Sequence, residues 1–219
     1  MPLLCEVFAP QCHADGASTR PRAVAGPSPE SLLEILHPAV NLAIWSRETP
    51  PTLRRALAAM TAAPFRAIAE AAPGAVVDAL SPQLPAATPA ELLLDIHGLA
   101  VAFATIAGQR SLRARLEVVT DDSCHRFHAD AVRLRLLCTY RGAGTQWLAL
   151  PGGAAAARVL GSRPPVPPEA LGTGAVAILK GEAHPGQAGH GCIHRSPPMP
   201  PGAPARLLLC LDEAVRTTP

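Results

Sequence analysis

The chain has 219 residues, a formal net charge of +2 with histidine neutral, and 3% aromatic residues. That length suits one domain with a real core, and so small a charge sets up no strong field for nucleic acid or a membrane. So few aromatic side chains exclude the stacking platforms of a single-strand nucleic-acid binder, and the scattered basic residues argue against any nucleic-acid groove.

The N-terminal MPLLCEVFAPQCHADG lacks a basic segment followed by a long apolar core, so it does not read as a secretory signal. Residues 1–28 read as a disordered tail, and Cys12 and His13 within it receive no role. The apolar run nearest to membrane-spanning length, LLLDIHGLAVAFATIAG (92–108), is interrupted by Asp95 and His97, which read as satisfied core or interface groups. These features predict a soluble cytoplasmic protein without a membrane partner, its six cysteines reduced.

Residues 29–110 read as a helical region punctuated by prolines. Ser28 with Pro29 predicts a helix start over ESLLEIL, and TLRRALAAMTAA and PFRAIAEAA read as short amphipathic helices. In TPAELLLDIHGLAVAFATIAG, Thr88 is the expected N-cap, Pro89 the first helical residue and Glu91 the partner in a capping box.

Beyond residue 110 the pattern becomes β-rich. RARLEVV and VRLRLLCTY alternate, and QWLAL, AARVL, GAVAILKG and ARLLLCLD read as further short strands between Gly and Pro turns. Cys138 and Cys210 fall in apolar strands as small core residues, and Trp147 reads as a core or rim aromatic. Lys180 and Glu182, beside a Gly turn, read as solvated. The fold class expected is α+β: an N-terminal helical region (29–110) packed on a C-terminal jelly roll (111–219).

The chemistry concentrates in CHRFHADAVRLRLLCTYRG (124–142). Along VRLRLLCTY the even positions Leu134, Leu136, Cys138 and Tyr140 are apolar, while the odd set (Arg133, Arg135, Leu137, Thr139, Arg141) is mostly polar. The even set is therefore expected inside. Extending the pleat backward places His128 and Asp130 on that same face, two ligands of a 2-His-1-carboxylate site. Among the histidines of GEAHPGQAGHGCIHRSPP, His194 is the preferred third ligand, with Arg206 twelve residues later. The competing reading is a polar turn in which Asp130 bonds local N–H groups.

His-x-Asp, a distant His and a basic residue about a dozen positions later resemble the iron(II)/2-oxoglutarate oxygenases. That resemblance implies a cupin-like double-stranded β-helix in which His128, Asp130 and His194 hold iron. It also implies that Arg206 anchors the far carboxylate of 2-oxoglutarate, a contact that suits a planar guanidinium. Tyr140, inward by parity, would hydrogen-bond the bound ligand. The implied activity is a hydroxylase-type oxygenation of a substrate the sequence does not name, with a small-molecule substrate or cosubstrate as partner.

CHRFHAD, TYRGAGTQWL, AILKGEAHPG and IHRSPP also resemble an uncharacterised bacterial domain family over roughly residues 110–213. Its members are sometimes labelled succinylglutamate desuccinylase, and some are encoded near zinc-responsive metallochaperone genes. The desuccinylase label implies an early His-x-x-Glu pair, and no histidine here has Glu three residues downstream. A second reading is therefore a zinc-binding protein of metal homeostasis on the same scaffold. His184, His190 and Cys192 would line the site or hold a second ion, and Cys124 and His125 flank it. There is no phosphate loop, dinucleotide fingerprint or G-x-S-x-G elbow.

Overall fold

The computed structural model describes residues 22–60, 63–121, 124–160, 164–186 and 188–214. The chain begins with strand β1 (Arg22–Gly26), a 3-10 helix (Pro29–Leu36) and strand β2 (Val40–Trp45). Helix α1 (Pro51–Ala59), strand β3 (Arg66–Ala71), helix α2 (Val76–Leu80) and the long helix α3 (Ala90–Ala107) follow. Then come β4 (Leu112–Val119), β5 (Leu134–Arg141), β6 (Gln146–Leu148), helix α4 (Gly153–Val159), β7 (Glu169–Ala170), β8 (Val176–Lys180), β9 (Ile193–Arg195) and β10 (Arg206–Glu213).

The strands form a seven-stranded sheet, ordered β1-β2-β8-β5-β10-β4-β3, and a three-stranded sheet, ordered β7-β6-β9. Only the β1–β2 pairing is parallel. One face of the large sheet packs on the helices. There Leu134, Leu136, Cys138, Ile178, Leu207, Leu209 and Leu211 meet Leu32, Leu57, Ile96 and Phe103. Its other face looks toward the small sheet, where Leu137, Leu179, Leu208 and Cys210 meet Trp147 and Cys192. The outer face of the small sheet, with Phe127, Leu148 and Ile193, is covered by Ala157 of α4.

The expectation of a helical region over residues 29–110 is corrected. This stretch contributes β2 and β3 to the large sheet, and β1 lies in the segment read as tail, of which residues 1–21 fall outside the described part. PFRAIAEAA becomes strand because β4 offers it an open edge, on which Ala67 packs fully buried opposite Leu116. Alanine's helix preference is a few tenths of a kcal/mol per residue, too weak to resist such pairing. The exposed edge of β3 is then closed by a side chain. Gln83 Nε2 donates to Ile68 O at 2.8 Å, and Ile68 N donates to Gln83 Oε1 at 3.1 Å.

Two helix starts also differ. Thr88 donates its hydroxyl to Pro85 O (2.7 Å), and α3 begins at Ala90 with no side-chain cap, so the capping box does not form. The Ser28–Pro29 start leads into a 3-10 helix rather than an α-helix. On α3, Leu92, Ile96, Leu99, Ala100, Phe103 and Ala104 form the buried stripe, so this long apolar helix packs as a core helix. AARVL, expected as strand, covers the end of α4, which starts at Gly153 after Gly152 as N-cap, both at positive φ. Its first turn is held by Glu182, whose Oε1 accepts from Ala154 N at 2.6 Å while Oε2 accepts from Gly189 N at 2.6 Å. Glu182 is therefore a clasp rather than a solvated charge. Lys180 is not solvated either: it is 1% exposed and donates to His37 O at 2.8 Å.

Candidate metal centre

His128 and His194 face each other as an isolated antiparallel bridge that continues the small sheet past β9. Each donates its backbone N–H to the other's carbonyl at 2.9 Å. Directly opposed positions carry their side chains on one face, so the pairing brings the imidazoles together, centroids 4.5 Å apart. Asp130 follows two residues after His128, and its carbonyl accepts from Glu182 N at 2.8 Å. One donor atom from each of His128, Asp130 and His194 lies within 4.8 Å of the others.

The hydrogen bonds around the rings decide what those donors present. His128 Nδ1 lies 2.9 Å from Arg126 O, and His194 Nδ1 lies 3.1 Å from Cys192 O. A carbonyl only accepts, so both Nδ1 atoms carry protons, which leaves each Nε2, once deprotonated, to turn its lone pair inward toward a cation. His128 Nε2 is 3.6 Å from Asp130 Oδ1, and His194 Nε2 is 3.2 Å from Asp130 Oδ2. Asp130 Oδ2 is buried without a hydrogen-bond donor in line with it, although Arg135 Nη1 approaches to 2.8 Å. Burial would raise the Asp130 carboxyl, but contact with His194 first, and then the charge of Arg135, hold it well below the usual carboxylate range. Burial first, then the neighbouring His194, pushes His128 down and preserves its lone pair. Two lone pairs and a carboxylate aimed at one space fit a divalent cation, and the carbonyls behind each ring supply the outer support such ligands need.

The face that carries this chemistry is the reverse of the one expected. Residues 131–133 bend, so the pleat of β5 does not run back to Asp130. The odd residues Arg135, Leu137 and Thr139 look between the sheets, and the even ones look to the helices. Tyr140 therefore lies away from the triad, contrary to its expected ligand contact: its hydroxyl donates to Asp95 Oδ2 at 2.7 Å on α3.

Arg206 occupies the inter-sheet face at the start of β10, 1% exposed. It donates from Nε to Ala143 O (2.7 Å), from Nη1 to Ser196 Oγ (3.3 Å), and from Nη2 to Thr139 Oγ1 (3.4 Å) and Thr145 Oγ1 (3.3 Å). These partners are all neutral. Burial accordingly pulls its pKa down, countered in part by Glu117 and Cys124. Gly142, at φ +82°, gives it room, since a Cβ there would sit 2.9 Å from Arg206 Cγ.

The other sulfur and imidazole candidates do not converge: among the described residues, only His128, Asp130 and His194 form such a group. Cys192 is buried in the apolar inter-sheet cluster, where burial raises its thiol to about 12. His184 turns its Nδ1 to Pro185 O. The sequence reading missed Arg135 as a neighbour of the site. An arginine within an otherwise apolar run was the available signal.

Gly181 fixes the height of the Asp130 segment, because a Cβ there would collide with Val132 O and lie 2.6 Å from Asp130 O. Gly181→Ala is expected to cost about 1–3 kcal/mol through this overpacking. At roughly 2–4 °C per kcal/mol for a domain of this size, thermal unfolding followed by circular dichroism would show the loss.

A family model described as "Protein of unknown function (DUF1826)" matches residues 26–212. No curated protein matches significantly. Among solved structures, the chain is similar to a dioxygenase for auxin oxidation from rice (16% identity, 88% of this chain and 82% of that one, TM-score 0.45). It is also similar to dioxygenase for auxin oxidation 1 from Arabidopsis thaliana in complex with 2-oxoglutarate (14%, 75% and 72%, TM-score 0.41). A prolyl-4-hydroxylase from Pseudomonas putida is similar at 14% identity over 84% of this chain and 97% of that one, TM-score 0.42.

Proposed function

The chain belongs to the DUF1826 family of proteins of unknown function, and we propose that it is an iron(II)- and 2-oxoglutarate-dependent oxygenase that hydroxylates a small molecule. In this reading the two sheets are the halves of a double-stranded β-helix, with the metal ligands on the small sheet's side of the interior. His128, Asp130 and His194 would hold iron by Nε2, a carboxylate oxygen and Nε2. Bound iron and 2-oxoglutarate supply the activation of oxygen for insertion into a C–H bond.

The observation that carries the reading is Arg206. A guanidinium buried among neutral oxygens, on the face where three metal donors converge, lacks only an anion. Thr139, which it contacts, lies four residues along β5 from Arg135, which contacts Asp130. That is roughly 13 Å of strand, a span that a short dicarboxylate held at both ends would match. Thr139, Thr145 and Ser196 orient the fork of Arg206. The apolar walls from Leu137, Leu208 and Trp147 exclude water from the space between the sheets. The donor set of two imidazoles and one carboxylate, with no thiolate, favours iron over a structural zinc site.

The test is metal and cosubstrate stoichiometry. Protein loaded anaerobically with iron(II) is expected to retain about one ion per chain and, once oxygen is admitted, to convert 2-oxoglutarate to succinate and carbon dioxide. His194→Ala is expected to retain none under the same desalting. Tight zinc with no response to 2-oxoglutarate would replace this reading with the zinc-binding one, and absence of bound metal would overturn both.

A further inference from the structure

We infer that Arg135 is a positioning residue for the metal-binding carboxylate of Asp130, and that Asp212 holds Arg135 in place. The inference rests on the metal centre proposed above. Asp130 lies between the His128 bridge and the bend at 131–133 that precedes β5, so no strand ladder sets its side-chain direction. Arg135 stands on the first turnless stretch after that bend, two residues into β5. Asp212 is its register partner on β10. The pair forms a two-point fork: Nε to Oδ1 at 2.6 Å and Nη2 to Oδ2 at 2.9 Å. Two contacts fix the plane of a guanidinium. The remaining nitrogen, Nη1, is then delivered to Asp130 Oδ2 at 2.8 Å.

The angle of that last contact matters. Nη1 approaches Asp130 Oδ2 closely without an aligned hydrogen bond, so it attracts the carboxylate without saturating it. A lone pair stays available for a cation. Arg135 also stands between two buried carboxylates, each 12–15% exposed, that would otherwise repel each other across the entrance to β5. A single guanidinium thus orients one carboxylate by leaning on another.

Cobalt(II) binding tests this without turnover, through calorimetric affinity and the visible absorption of the bound ion. Arg135→Met is expected to weaken cobalt binding about 10–100-fold, the usual effect of removing an outer support, and to alter the absorption bands. Asp212→Asn keeps the Arg135–Asp130 contact but loosens its anchor, and is expected to weaken binding by a smaller factor with a similar band shift. Arg135→Lys keeps the charge without the fork and is expected to rescue affinity in part. A purely structural role would lower the unfolding temperature and leave the bands of the folded fraction unchanged. Binding by all three variants within about threefold of the parent, with identical spectra, would overturn the positioning role while leaving the metal centre standing. If the unmodified chain binds no cobalt, the metal centre and this inference fall together. If Arg135→Met does not fold, the Lys and Asp212→Asn variants decide.

Discussion

Replacing Arg206 by methionine is expected to weaken 2-oxoglutarate binding by a factor of roughly 30 to several thousand, equivalent to about 2–5 kcal/mol. The size follows from comparing the buried Arg206 with two half-buried arginines. Burial alone would depress all of them, but Arg47 sits on Asp95 and Arg135 on Asp212 and Asp130, and those carboxylates carry both above the usual arginine range. Arg206 has no such contact, and burial leaves it below that range. It remains charged, since a guanidinium does not give up its proton in a protein. In the free protein its direct hydrogen-bond partners are four neutral oxygens, three of them at 3.3 Å or beyond. A carboxylate of the cosubstrate would complete the pair in a water-poor space, where such contacts are strongest.

The same comparison separates this role from a structural one. Removing a structural buried cation exposes its partner charge and destabilises by several kcal/mol. Arg206→Met strands no charge, so the ligand-free chain is expected to lose no more than about 2 kcal/mol, the four contacts and the desolvation cost disappearing together. Titration with 2-oxoglutarate in the presence of manganese(II), beside urea unfolding of the same protein, measures both quantities. Unchanged affinity would remove Arg206 from the site, and a large loss of stability would make it a scaffold residue. Arg206→Lys is expected to bind between the two, because a point charge cannot form the fork.

What the sequence made legible has a physical boundary. β4 and β5 were readable from their alternation, and β6, β8 and β10 as short apolar runs beside Gly or Pro turns. AARVL and PFRAIAEAA exchanged identities, helix for strand and strand for helix. Alanine-rich segments carry little preference of their own and follow what their neighbours need, the N-terminal clasp of Glu182 in one case and the edge of β4 in the other. β2 was legible and overlooked: VNLAIW is an apolar run of strand length broken only by Asn41. Spacing singled out His128, Asp130 and His194, which the fold brings together, yet the parity argument that placed them was wrong. β5 is buried on both faces, so polarity could not say which face was which. The Arg135–Asp212 fork depends on the β5–β10 register, which no local pattern in either strand encodes.

The double burial of β5 makes a second prediction as large as the first, on the opposite face. Asp95 on α3 accepts a two-point contact from Arg47, 2.7 Å on each oxygen, and a third hydrogen bond from the Tyr140 hydroxyl at 2.7 Å. The side chains of Arg47 and Asp95 are 9% and 14% exposed. Burial, with Cys138 and Asp95 beside it, raises Tyr140 well above its usual range, so it stays a donor. Arg47 also donates from Nε to Gly174 O (2.8 Å), which ties α3 through the arginine to the loop before β8. Asp95→Ala leaves a guanidinium and a hydroxyl buried with no acceptor between them. The expected cost is about 3–5 kcal/mol, the range for breaking a buried pair from one side. At roughly 2–4 °C per kcal/mol, the unfolding midpoint should fall by about 6–20 °C. Removing both ends in Arg47→Met/Asp95→Leu is expected to recover most of that loss, because no unpaired charge is then left inside. An Asp95→Ala midpoint within about 2 °C of the parent would show that water reaches the cluster and that this face of β5 is wetter than its packing implies.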